Sequence, residues 1–172
     1  MTAPDVPDCV SILREHDQSQ DAHEWAARLG RDVADADKRP VVAVVDDDVV
    51  AGYARTLHFH RENDSPPEAA PGGWYLLGLV VASAHRERGI GRLLTEERLR
   101  WLVERGAPGV YFFTDIENID SQRLHEQVGF RRLSRGFWFP TLPPEHAETL
   151  YYLNLPAAES RGSDSHAPAN DP

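Results

Sequence analysis

Leu79-Val80-Val81-Ala82-Ser83-Ala84-His85-Arg86-Glu87-Arg88-Gly89-Ile90-Gly91-Arg92-Leu93-Leu94 reads as the end of a buried strand, a short polar loop, and two glycines that open a helix. The strand, Trp74–Val81, is almost continuously apolar, as expected of one covered on both faces. The helix, Gly91–Arg105, places Ile90, Leu94 and Trp101 on one face with Leu93 beside it. Glu97 interrupts that stripe, and Gly106 is its stop. Glycine lets the backbone approach a ligand closely and adopt dihedrals that other residues avoid. The first amides of a helix lack internal partners, and the helix dipole favours an anion there. The segment therefore suits a phosphate group, with Arg86, Arg88 and Arg92 adding charge for a pyrophosphate and a ribose 3′-phosphate. An ordinary strand-to-helix turn with solvated arginines shows the same pattern. A dinucleotide fingerprint would need glycine where Leu94 stands, and no Gly-Lys-Ser/Thr follows to make a P-loop.

Upstream, Cys9–Leu13 reads as a first strand, and Asp21–Leu29 as a helix capped by Gly30, because Ala22, Trp25, Ala26 and Leu29 recur at helical spacing. Val41–Val45 and Val49–Phe59 read as a hairpin turned by Asp46-Asp47-Asp48. Glu62–Gly73, rich in Pro, Gly, Asp and Glu, reads as a loop. Downstream, Val110–Thr114 is a strand and Ser121–Val128 a short helix ended by Gly129. Phe130–Phe137 and Thr149–Leu155 are two last strands. The order β-α-β-β-β-α-β-α-β-β, hairpins first and alternation later, predicts an α/β (α+β) domain over residues 1–156. Its sheet is mixed and mostly antiparallel, with helices flanking it. Residues 157–172 carry no large apolar side chain and read as a disordered tail.

Composition narrows the function. The chain has 172 residues, 41% of them hydrophobic, enough for one domain with a real core. Its formal charge is −10, and no Lys/Arg run appears beyond Arg86, Arg88 and Arg92, so no nucleic-acid partner is expected. An acidic chain suits a cationic small substrate, although acidic surfaces also serve solubility. A single cysteine, Cys9, cannot form an internal disulfide. With neither a signal peptide nor an apolar run of membrane-spanning length, a cytoplasmic protein without a membrane partner is expected.

Two motifs carry a resemblance. Arg86-x-x-Gly89-x-Gly91, preceded by Leu79-x-Val81, looks like motif A of the GNAT superfamily of acetyl-CoA-dependent N-acetyltransferases. Asn118-x-x-Ser121-x-x-Leu124-His125-x-x-x-Gly129-Phe130 is similar to the family's motif B, at the usual separation. The resemblance implies a V-shaped splay between two parallel strands, Trp74–Val81 and Val110–Thr114, into which the pantetheine arm enters. Main-chain groups of Leu79, Val80 and Val81 would orient the arm, and amides of Glu87, Arg88, Gly89, Ile90, Gly91 and Arg92 would hold the pyrophosphate. Asn118 and Ser121 would meet the arm. Acetyl-CoA is thus the implied co-substrate, and no metal is expected.

The chemistry is less complete. A tyrosine usually stands where His125 does and acts as general acid to the leaving thiolate. Imidazole can also deliver a proton, so the resemblance implies that role for His125, or a side chain packed beside the cofactor. The family's glutamate is absent near Tyr75, and so is the alternative near Phe113. His58, His60, Glu62, Asp115 and Glu117 remain as base candidates at strand ends, with Glu117 and His60 carried forward, and a base acting through water is equally open. Tyr75 and Trp138 are candidate walls of the acceptor pocket, although aromatic clusters are more often core. The implied activity is acetyl transfer to a primary amine of a small cationic molecule by direct attack in a ternary complex. A protein Lys or N-terminal acetyltransferase and a non-catalytic acyl-CoA-binding sensor are the alternatives. A homodimer through the late strands is open.

Overall fold

The computed structural model of the protein describes residues 1–143 and 148–157. Two helices come first, α1 (Val6–His16) and α2 (Ala22–Ala34), followed by strands β1 (Lys38–Val45), β2 (Val49–Phe59) and β3 (Gly73–Val81). Helix α3 (Ile90–Glu104), strand β4 (Gly109–Asp115), helix α4 (Ile119–Val128) and strands β5 (Arg131–Arg135) and β6 (Glu148–Asn154) complete it. The strands form one sheet in the order β1-β2-β3-β4-β6-β5. Neighbours pair antiparallel except β3 with β4, which are parallel. The mixed, mostly antiparallel sheet anticipated from the element order is therefore the sheet observed.

Three boundaries differ from the sequence reading. Cys9–Leu13 is the middle of α1, not a strand. A five-residue apolar run fits either period. Val6, Cys9, Val10 and Leu13 lie at helical spacing, and they pack with Trp25 and Leu29 of α2 against Val50, Tyr53 and Val80. Helix α2 does not stop at Gly30 but runs on to Ala34. Glycine inside a helix costs about 1 kcal/mol relative to alanine, and the far half of α2 is held by Asp32. That buried carboxylate meets Lys38 and Arg55, each at 3.0 Å. The strand expected over Phe130–Phe137 ends at Arg135, because Phe137 turns with Phe139 into a cluster with Tyr75, Leu77 and Leu150. The tail expected over 157–172 lies, from residue 158 on, outside the described residues.

One irregularity in β3 sets the shape of the sheet. Tyr53 pairs with Val80 and Arg55 with Leu77, so Ala54 of β2 faces two residues of β3, Gly78 and Leu79. This is a β-bulge, and Gly78 enters it with φ +60°, a left-handed conformation that costs a residue with a Cβ. The bulge resets the alternation of side chains. Trp74 and Leu76 pack beside Leu102 of α3, and beyond the bulge Leu79 and Val81 pack beside Ile90 and Leu94 of the same helix. Tyr75, Leu77 and Val80 face the other way. An unbroken strand would have put Val80, not Leu79, on the α3 side. Both faces are covered throughout, which is why the stretch is apolar without alternation.

Replacing Gly78 by alanine tests the bulge. The new Cβ meets Arg55 only at ordinary contact distance, so the cost is conformational. Urea denaturation is expected to show a loss of about 1–2 kcal/mol; an unchanged midpoint would mean that the turn at Gly78 is not needed.

Candidate functional site

Strands β3 and β4 are paired only from Trp74–Leu76 to Val110–Phe112. Past Leu76 they separate, and among the described residues the edge of β3 that faced β4 has no strand partner. Two contiguous cavities open there. The inner one, about 270 Å³, is lined by Leu76–Val80, Phe112–Thr114, Arg98 and His125, with Leu13, His16, Asp17 and Trp25 closing it from α1 and α2. The outer one, about 520 Å³, runs past Leu79–Val81 to Arg86, Glu87 and Gly89–Gly91. His16, Leu79, Val80, Asn118 and Ser121 border both.

The outer cavity ends on the start of α3. Gly89 caps that helix in the left-handed conformation, φ +79°, and no side chain caps its amides. Glu87 is left-handed as well, with φ +61°. Left-handed residues alternating through a loop turn successive N–H groups into one concavity, which binds anions. The helix behind it adds its dipole. Arg86 lines this cavity and donates from Nε to the Val81 carbonyl at 3.2 Å, which ties the loop to the end of β3. Arg88 and Arg92 line neither cavity, and Arg92 pairs with Glu96 at 2.7 Å. Of the three arginines expected to supply charge, only Arg86 borders the groove.

The inner cavity holds His125 and Arg98. His125 is 3% exposed and stacks on Phe112, centroid to centroid 3.7 Å, with Phe130 edge-on. Its Nδ1 lies 2.8 Å from the Ser121 carbonyl. A carbonyl only accepts, so Nδ1 carries the proton and Nε2 of the neutral ring carries a lone pair. Burial pulls the His125 pKa down to about 4, the Ser121 bond opposes this, and the Arg98 charge adds to it. His125 is therefore neutral at pH 7 and holds no proton on Nε2 to give. Asn118 caps α4 by accepting from the Ser121 N–H at 3.1 Å through Oδ1, and its Nδ2 group can donate into the groove.

Arg98 is fully buried. Its guanidinium donates to the carbonyls of Leu94 and Arg55 at 3.1 Å, to Leu77 at 3.4 Å, and to the Thr95 hydroxyl at 3.2 Å. Burial lowers its pKa to about 9, which leaves it cationic at neutral pH.

The remaining predicted residues stand elsewhere. Tyr75 is buried in the aromatic cluster of Tyr111, Phe113 and Phe139, with its hydroxyl donating to the Pro71 carbonyl, and it lines neither cavity. Trp138 borders a separate pocket of about 200 Å³ with Glu68 and Leu142. Glu117 and His60 line neither cavity; Glu117 donates its N–H to Asp115, and His60 contacts Asp37. Four groups were missed. His16 and Asp17 escaped because α1 was read as a strand. Arg98 escaped although it lies on the stripe Ile90, Leu94, Arg98, Leu102, four apart and all buried, whereas Leu93 is 62% exposed. Glu148, outside the strand as predicted, pairs in register with Asp115, and burial followed by the Asp115 charge pushes its carboxyl up to about 7.

Residues 6–130 match the family model described as the acetyltransferase (GNAT) family. The chain is 32% identical over 101 residues to the mycothiol acetyltransferase of Nocardia farcinica, spanning 58% of this chain but only 29% of that protein. It is 26% identical over 113 residues to the aminoglycoside N(6′)-acetyltransferase type 1 of Salmonella typhimurium, 64% of this chain and 74% of that one. Its fold is similar, at TM-score 0.69 and 19% identity, to AAC(6′)-Iy solved with the bisubstrate analogue CoA-S-monomethyl-acetylneamine, covering 83% of this chain and 95% of that one. With a matched region well over half its length, the chain belongs to the acetyltransferase (GNAT) family.

Proposed function

We propose that the protein transfers an acetyl group from acetyl-CoA to the amine of a small cationic molecule, by direct attack while both are bound. The observation that carries this is the groove itself: an unpaired strand edge in the splay leads to a left-handed amide concavity at a helix start. Acetyl-CoA, when bound, supplies an acyl group activated as a thioester. Its diphosphate suits the amides of Glu87–Gly91 and the Arg86 charge. Its amide-bearing arm suits the free edge of Leu79–Val81, with Asn118 donating from the far wall. The relatives named above, a mycothiol acetyltransferase and an aminoglycoside N(6′)-acetyltransferase, favour a small acceptor.

The acceptor enters beside α1, where Asp17 offers a carboxylate to an ammonium group. His125 works as a relay and not as a resting acid. Nε2 takes a proton from the attacking amine and passes it to the departing thiolate. Nδ1–H stays on Ser121 throughout, which holds the ring in one orientation. Burial keeps the imidazolium short-lived, and the neighbouring Arg98 cation disfavours it further. Cys9 is buried, with its thiol pushed up to about 12, and takes no part. Among the described residues no helix is long and apolar enough to cross a membrane, and a cytoplasmic setting fits this reading.

Titration calorimetry with acetyl-CoA, and thiol release with aminoglycosides, polyamines and short peptides, test the proposal. Heat with acetyl-CoA plus thiol release with a small amine is expected. Binding without release for any acceptor, or release with peptides alone, would reject it. Asp17→Asn is expected to raise the acceptor KM about two- to fivefold, the range of an exposed ion pair, with acetyl-CoA affinity unchanged.

His125 has a separate signature. Its folded pKa lies below the unfolded value of 6.5, so protons favour the unfolded chain. The stability involved is fully present above pH 6.5 and is lost progressively as pH falls towards 4, by roughly 3 kcal/mol in all. Denaturation against pH should show this slope in the parent and a shallower one in His125→Phe. The same variant should keep acetyl-CoA binding and lose about 100-fold or more in turnover. Full turnover would leave His125 a packing residue.

A further inference from the structure

At the other end of β3, away from the cavities, three Lewis-basic side chains converge. His58 is the penultimate residue of β2, His60 directly follows that strand, and Asp37 precedes β1. His60 Nε2 lies 3.1 Å from His58 Nδ1 and 3.0 Å from Asp37 Oδ2. All three ligand atoms fall within 4.8 Å of one another. A proton on His60 Nε2 satisfies one of its two neighbours, whereas a dication placed between the three atoms satisfies all of them.

We propose that Asp37, His58 and His60 form a binding site for a divalent transition-metal ion of the zinc class. Tetrahedral zinc, with bonds of about 2.0–2.2 Å, holds its ligand atoms roughly 3.4 Å apart. The two close pairs need to open by only a few tenths of an ångström. The site is also preorganised. The His58 N–H donates to the Asp37 carbonyl at 2.7 Å, which joins the two chain segments. The His58 ring packs edge-on against Trp74 at 4.6 Å, and Trp74 against Trp101 at 5.2 Å. Asp37 and His60 remain half-exposed, at 52% and 62% of their side chains, so an ion can enter and water can complete its shell. Two imidazoles and one carboxylate suit Zn²⁺, Co²⁺, Ni²⁺ or Cu²⁺, and not Mg²⁺ or Ca²⁺, which prefer oxygen ligands throughout. Residues two apart on a strand end, with a carboxylate 21 positions upstream of the first, match no familiar ligand spacing, so the sequence reading anticipated no metal. The ion would clamp the β1–β2 hairpin at the paired end of the sheet and take no part in acyl transfer.

Calorimetric titration of the tag-free full chain with ZnCl₂ tests this, with MgCl₂ as the contrasting ion. One equivalent of Zn²⁺ is expected to bind and to raise the melting temperature, and Mg²⁺ to do neither. His60→Ala and Asp37→Asn should each weaken Zn²⁺ binding at least about tenfold, whereas His23→Ala, an exposed histidine on α2, should not. Metal-free melting of each variant shows that its fold is intact. Absence of a stoichiometric Zn²⁺ site in the parent chain, or binding that survives both substitutions unchanged, overturns the proposal and leaves a hydrogen-bonded His-His-Asp chain.

Discussion

Where β3 departs from regular pairing, the carbonyls of Arg55 and Leu77 lie at the irregular step of the β2–β3 ladder, and the guanidinium of Arg98 donates to both. A carbonyl buried without a partner costs about as much as a lost hydrogen bond. The bulge at Gly78 is thus supported from α3, and the bulge is what turns β3 out of step as it leaves β4. The same helix begins at Gly89 with the uncapped amides and carries Arg98 two turns further on. One rigid element therefore fixes both the opening of the sheet and the anion-binding concavity relative to it. Displacing either end of α3 would misplace the other.

The electrostatics of the groove run against those of the whole chain. The protein carries a formal charge of −10, yet the groove is bordered by Arg86 at its outer end and by Arg98 inside. Arg98 is satisfied by carbonyl dipoles and a hydroxyl, so its charge is not cancelled by a carboxylate among those partners. Desolvated charges act more strongly than surface ones. Burial against the aromatic rings keeps His125 neutral, and the same cation adds to that effect. An acidic side chain also borders the groove, where Asp17 helps to close the inner cavity from the end of α1. An anionic cofactor and a cationic acceptor are thereby favoured at different parts of one groove.

Much of this was legible from residue order. The strand-loop-helix around Gly89 and Gly91 marked the outer cavity; Ser121 and His125 fall on the short helix expected over Ser121–Val128, with Asn118 just ahead of it, and all three line the groove. What escaped did so for physical reasons. A five-residue apolar run cannot distinguish strand from helix, so α1 was missed, and with it His16 and Asp17. An arginine on a buried stripe looks like an interruption until its carbonyl partners are known. Tyr75 sits on the expected strand, but it faces the aromatic cluster of Phe137 and Phe139 and is part of the core. The base candidates Glu117 and His60 were proposed from proximity to strand ends, and the end of β2 and the end of β4 lie at opposite ends of the sheet.

Taken alone, the sequence determined which segments are strands and helices from β1 onward and where an anion could meet unpaired amides. These depend on local periodicity, glycine placement and the orphan amides of a helix start. Tertiary structure alone decided where β3 and β4 part, which arginine is buried, how far His125 is desolvated, and which acidic side chain borders the inner cavity. Each of those depends on groups far apart in the chain: Arg98 on Arg55 and Leu77, and His125 on Phe112. No pattern within a single segment encodes such long-range contacts.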